Sequence, residues 1–133
     1  MAARILIIED NSTNLELVRY LLEHAGHATV AASDGSAGLA VLQTMRPDLI
    51  ITDLRMPIAD GYEVLRRIRM NPLHDNVPVV AITAFSMAGD HEAVLASGFS
   101  GYISKPIEPE RFVSTIESFL PPDLRASSTN SRS

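Results

Sequence analysis

The sequence contains no cysteine, which excludes disulfides, thiol nucleophiles and cysteine zinc sites and fits a reducing compartment. It has no run approaching the ~20 apolar residues of a membrane span. Met1-Ala2-Ala3-Arg4 leads directly into a strand-like segment with no signal-peptide core, so a cytoplasmic protein without membrane insertion is expected. Positive charge is scarce: 11 Lys and Arg stand against 16 Asp and Glu, for a net charge of -5. That balance excludes nucleic acid as a partner held by its phosphate backbone. The one basic cluster, Arg66, Arg67 and Arg69, reads as the solvated face of a helix, with a docking patch for an acidic partner as the alternative. There is no Gly-rich phosphate cradle, no Walker lysine motif and no internal repeat. With 133 residues, 46% of them hydrophobic, there is room for one domain with a proper core. It is expected over residues 1–121, followed by a disordered Ser-rich tail over 122–133.

What is present alternates in period. Ile5 to Ile8 and Leu49 to Ile51 are continuous apolar runs too short for helices, as parallel strands buried on both faces read. His27–Ala32 is a weaker strand, Val77–Ile82 another buried one with Pro78 near its start, and Gly101–Ser104 a short last strand. Between them, Thr13 and Glu16 fit a capping box for a helix with Leu15, Val18 and Leu22 inward, stopped by Gly26. Asp34-Gly35 reads as a turn and Ala37–Met45 as the second helix. Asp60 and Glu63 cap a third, ended at Asn71-Pro72, and Ser86–Ser97 is a fourth, ended by Gly98. Pro109 opens a fifth, with Phe112, Ile116, Phe119 and Leu120 on one side. Five strands alternating with five helices, joined by right-handed crossovers, give an α/β doubly wound parallel sheet.

In such sheets ligands bind outside the carboxyl ends of the strands. Four strand ends deliver Glu9 and Asp10, Asp53, Thr83, and Lys105 to that rim. Alone, Asp53 would read as an exposed loop acid, Thr83 as a turn residue and Lys105 as a surface charge; together they form a constellation. Carboxylates about 4 Å apart repel by about 4 kcal/mol at an effective dielectric of 20, so the cluster should hold protons or recruit a cation. Magnesium fits, with Asp10 and Asp53 as ligands, Glu9 in support and the backbone carbonyl of Arg55 completing the set. Asp53 could then attack a phosphoryl group and carry it as an acyl phosphate. Lys105, the only lysine in the chain, would neutralise charge, and the Thr83 hydroxyl would donate to a phosphoryl oxygen.

Glu9-Asp10-Asn11, Asp53 with Met56-Pro57, Asp60-Gly61, Thr83-Ala84 and Lys105-Pro106 resemble the response-regulator receiver (CheY-like) family over residues 4–120. Asn14, Thr83-Ala84-Phe85, Gly89-Asp90 and Tyr102 to Ile107 look like single-domain regulators of the DivK cell-cycle type. A phosphorelay shuttle or a chemotaxis-type regulator is the alternative within the family. The resemblance implies a flavodoxin-like sheet of order 2-1-3-4-5, Asp53 as phosphoacceptor, Glu9 and Asp10 as metal-binding acids, and Thr83 with Tyr102 as a switch pair. It also implies a cis bond before Pro106. The expected partners are a histidine kinase or histidine phosphotransfer protein, and downstream proteins on the face of helix 4, strand 5 and helix 5. With no effector segment expected, output is expected through protein–protein contacts rather than enzymatic turnover.

Two residues shape that expectation. Arg55 stands two positions after Asp53, where a haloacid-dehalogenase-like phosphatase would carry a second Asp, so the general acid for turnover is missing. Phe85 stands two positions after Thr83 and, being apolar, cannot orient an attacking water, from which slow self-dephosphorylation follows. A flavodoxin-like cofactor binder is disfavoured because Glu9-Asp10 would repel a phosphate at the first loop. His24, His27, His74 and His91 have no ligand spacing and receive no function.

Overall fold

The computed structural model describes residues 3–54, 60–83 and 88–121, the side chains of residues 88–91 excepted. Five parallel strands, β1 (Arg4–Ile8), β2 (Ala28–Ala32), β3 (Leu49–Asp53), β4 (Val79–Thr83) and β5 (Gly101–Ser104), form one sheet of order 2-1-3-4-5. Five helices alternate with them: α1 (Ser12–His24), α2 (Gly35–Val41), α3 (Gly61–Met70), α4 (Ala88–Ala96) and α5 (Pro109–Glu117). Among the described residues no helix is long and apolar enough to cross a membrane.

Each apolar run works on both faces because successive side chains alternate across a strand. Ile5, Ile7, Leu49, Ile51, Val80 and Ile82 pack on the face covered by α1 and α5, against Val18, Leu22, Phe112 and Ile116. Leu6, Ile8, Ile50, Val79 and Ala81 pack on the other, against Leu42, Val64, Leu65, Ile68 and Val94. The three inner strands are buried nearly throughout, whereas the edge strands β2 and β5 are only partly covered. That difference is why β2 reads weakly in the sequence.

Several boundaries move for local reasons. The cap of α1 is Asn11, whose Oδ1 accepts the Asn14 N–H at 3.0 Å, and not Thr13. Asp34 is the cap of α2, accepting from the Ala37 N–H, so Asp34-Gly35 starts a helix where a turn was expected. β4 begins at Val79 because Pro78 lacks an N–H and Val77 closes a turn onto the His74 carbonyl. Asp60 caps α3 through the Glu63 N–H, Gly26 and Gly98 take positive φ after α1 and α4, and Pro109 opens α5, as expected. Arg69 departs from the solvated-face reading: its guanidinium donates to the carbonyls of Asp75, Val77 and Gly98, tying α3 to the following loop and to the end of α4. The expected tail, and Arg55, Met56-Pro57, Ala84 and Phe85, lie outside the described residues.

Candidate phosphoacceptor site

β1 and β3 are adjacent and parallel, with Ile8 opposite Thr52. This is the switch point of the strand order, where the chain leaves β1 on one side and β3 on the other and a crevice opens at the carboxyl edge. β1 ends one residue before Glu9 and β3 ends on Asp53, so both acids are delivered to that crevice. Glu9 and Asp53 are buried, with 3% and 6% of their surface exposed, while Asp10 faces solvent. One carboxylate oxygen from each of Glu9, Asp10 and Asp53 lies within 4.8 Å of the others.

Lys105 enters from the end of β5. Its backbone N–H donates to the Thr83 carbonyl at 2.8 Å, and the Lys105–Pro106 bond is cis, which turns the chain at the rim. The ammonium donates to Asp53 Oδ2 at 2.8 Å and stands 3.2 Å from Glu9 Oε1. Burial works against this ammonium, but the hydrogen bond to Asp53 and the charges of Glu9 and Asp53 outweigh it, and its pKa is raised above the ordinary lysine value. Burial, reinforced by the charge of Asp53, pushes the Glu9 carboxyl up to about 7, against the Asn11 N–H that donates to Glu9 Oε2 at 3.1 Å. One ammonium against three carboxylates leaves excess negative charge, and a hard, oxygen-preferring divalent cation fits such a donor set.

Thr83 is buried at the end of β4, one step from Ile82, the register partner of Asp53. Tyr102 lies on β5 opposite Ala81, half-buried, with its side chain against the α2–α4 face of the core. The sequence-predicted Glu9, Asp10 and Asp53 therefore come together in one acidic cluster, with Lys105 bonded to Asp53 and Glu9, Thr83 at the end of the neighbouring strand and Tyr102 on the strand beyond it. Arg55 and Phe85 fall outside the described residues.

Two contributors escape sequence reasoning. Asn11, which enters the sequence reading only as the last member of Glu9-Asp10-Asn11, both caps α1 and holds the Glu9 carboxylate through its N–H. Gly61 brings the start of α3 onto the end of β3: its N–H donates to the Leu54 carbonyl, and a Cβ there would stand 2.6 Å from the Asp53 carbonyl oxygen. Only the Asp60-Gly61 pair in the sequence marks that close approach.

A family model for the response regulator receiver domain matches residues 5–117. The polar-differentiation response regulator DivK of Brucella anthropi is 39% identical over 120 residues, covering 90% of this chain and 98% of DivK. Among solved structures, the chemotaxis response regulator CheY4 of Vibrio cholerae superposes with a TM-score of 0.85 at 29% identity, over 90% of this chain and all of that one. The receiver domain of a sensor histidine kinase from Pseudomonas aeruginosa, solved with a magnesium ion coordinated in its active-site cleft, gives 0.81 at 29% identity, over 90% and 98%. Fold order, acidic crevice and sequence agree: the chain belongs to the response regulator receiver domain family.

Proposed function

We propose that Asp53 accepts a phosphoryl group from a phosphohistidine of a histidine kinase or phosphotransfer protein and that its charge switches protein–protein contacts. A carboxylate oxygen of Asp53 forms the new P–O bond as the P–N bond breaks, and the departing imidazole keeps the bonding pair and takes up a proton. The observation that carries this reading is the meeting of three carboxylates with Lys105 Nζ, 2.8 Å from Asp53 Oδ2, at the switch point of the sheet. Glu9, Asp10 and Asp53, with the backbone carbonyl of Arg55, would hold magnesium, which supplies charge neutralisation at the incoming phosphoryl oxygens. Lys105 offers a second positive charge at Asp53, positioned by the backbone bond of its N–H to the Thr83 carbonyl.

The Thr83 hydroxyl, at the end of the neighbouring strand, is the donor for a phosphoryl oxygen, and Tyr102 is the readout of its movement. The affected face is α4, β5 and α5, where Tyr102, Lys105, Pro106, Arg111 and Thr115 border a hollow of about 420 Å³. The cytoplasm, where histidine kinases present their phosphohistidine, is the proposed compartment. A DivK-type role is the preferred assignment within the family, supported by the 39% identity to DivK. Turnover is limited to self-phosphorylation from small donors and slow self-dephosphorylation.

The test is borohydride reduction after incubation with acetyl phosphate and magnesium, followed by peptide mapping. Conversion of residue 53 to homoserine is expected; conversion of Asp10 or Asp60 in its place would overturn the assignment.

A further inference from the structure

A groove of about 480 Å³ runs along α3 beside the residue that follows α4, and is lined by Tyr62, Leu65, Arg66, Arg69, Met70 and Ser97. Tyr62, Arg66 and Met70 succeed one another at intervals of four and form one outward stripe of α3. Tyr62 and Met70 are 39% and 68% exposed, large apolar surface left in water on a helix whose inner side already fills the core with Val64, Leu65 and Ile68. Tyr62 is braced edge-on against Phe99, with ring centroids 5.7 Å apart, so its exposed edge is held in place. Tyr, Met and Arg are the residues enriched where protein partners bury surface.

The charge of the groove identifies the partner. Its described lining holds two guanidiniums and no carboxylate, in a chain of net charge -5. Arg69 is fixed by three carbonyls, whereas Arg66 is held by an exposed pair with Glu63 and donates to Met70 Sδ at 3.3 Å. The Arg66 fork meets both carboxylate oxygens of Glu63 at the surface, and Glu63 is shared with Arg67 Nε at 2.9 Å, so Glu63 keeps a cationic partner when the Arg66 fork turns to an incoming carboxylate with the bidentate geometry that Arg favours. A symmetric second copy would bring together two linings that each carry Arg66 and Arg69 and, among the described residues, no carboxylate, which disfavours self-association through this face.

We propose that the α3–α4 groove docks an acidic protein segment, an apolar side chain seated on Tyr62, Leu65 and Met70 and a flanking carboxylate on Arg66. The groove shares no lining residue with the acidic site or with the hollow beside β5 and α5, and does not depend on the function proposed for Asp53. The test is selection of a phage-displayed peptide library on the full chain without phosphoryl donor, followed by amide shift mapping with the enriched peptides. Enriched peptides should combine Asp or Glu with Leu, Phe or Met and shift Tyr62, Leu65, Met70 and Ser97. They should weaken in high salt and lose about tenfold or more in affinity with Arg66→Glu and, independently, with Met70→Asp. Basic or uncharged binders, shifts elsewhere, no enrichment, or concentration-dependent dimerisation through the same residues would overturn it. Magnesium-dependent phosphoryl uptake should be unchanged in both variants, which separates failure here from failure of the phosphoacceptor assignment.

Discussion

Lys105 is the one ammonium side chain the chain possesses, and the site places it between Asp53 and Glu9. Removing it leaves three carboxylates facing one another, so Lys105→Met should bind magnesium more tightly, by about tenfold, a fraction of the ~4 kcal/mol that a charge pair at 4 Å carries at an effective dielectric of 20. Calorimetric titration at fixed salt measures this, and unchanged affinity would count against Lys105 as a neutralising charge. Glu9 makes the opposite test. Its folded pKa of about 7 lies above the unfolded value of 4.5, so between these values the folded protein keeps a proton that the unfolded chain has released. Stability contributed by that proton is complete below about pH 4.5 and is lost as pH rises through 7. In EDTA, urea midpoints should therefore carry a component that falls across this window, and Asp53→Asn should flatten it by removing the charge that helps raise Glu9. The histidines teach a different lesson. Nothing in their spacing assigns them a role, yet His27 is buried, accepts the Ala3 N–H on Nδ1 and meets Glu117 Oε2 at 2.7 Å through Nε2. A partner 90 residues away is invisible to local pattern. His27→Phe should destabilise the protein by about 2 kcal/mol in denaturant melts, through loss of the buried hydrogen bonds to the Ala3 N–H and to Glu117 Oε2, and leave phosphoryl uptake intact.

At the scale of elements, the start of α3 is packed directly onto the end of β3. Gly61→Ala would set a methyl 2.6 Å from the Asp53 carbonyl and 2.9 Å from Leu54 Cα, backbone atoms that cannot swing aside. Overpacking of this kind costs about 1–3 kcal/mol, and the shift of the β3 end should also slow phosphoryl uptake at Asp53. Urea denaturation together with the rate of adduct formation reads both, and wild-type values in both would contradict the close approach. The inner strands β1, β3 and β4 were legible because a strand buried on both faces must be apolar throughout, and Gly101–Ser104 was legible from its flanking Gly and Lys-Pro. The edge strand β2 and the short helix α2 were less so, since half-solvated elements carry mixed residues. Asn11 took the cap from Thr13 because the turn after Glu9 places its side chain one residue before the helix, a choice among adjacent cap formers that sequence alone leaves open. Arg69 looked like its neighbours Arg66 and Arg67, and it is the packing of α3 beside the loop that follows it and the end of α4 that directs it to carbonyls.

For the whole molecule, parallel order 2-1-3-4-5 is what converts residues distant in sequence into one site: Glu9, Asp53, Thr83 and Lys105 share an edge because every strand points the same way. The candidate site was thus readable once the alternation of strands and helices was recognised, whereas the partners are not encoded in any local motif. The phosphorylation proposed at the β1–β3 crevice and the docking proposed along α3 rest on different residues and can be tested separately. The central claim is that Asp53 is the phosphoacceptor, and the intact mass of wild type and Asp53→Asn after acetyl phosphate treatment, with magnesium and with EDTA, tests it most directly. The expected result is one added phosphoryl group in wild type with magnesium and none in the other three samples. The same adduct in Asp53→Asn, or no magnesium-dependent adduct in wild type, would contradict it.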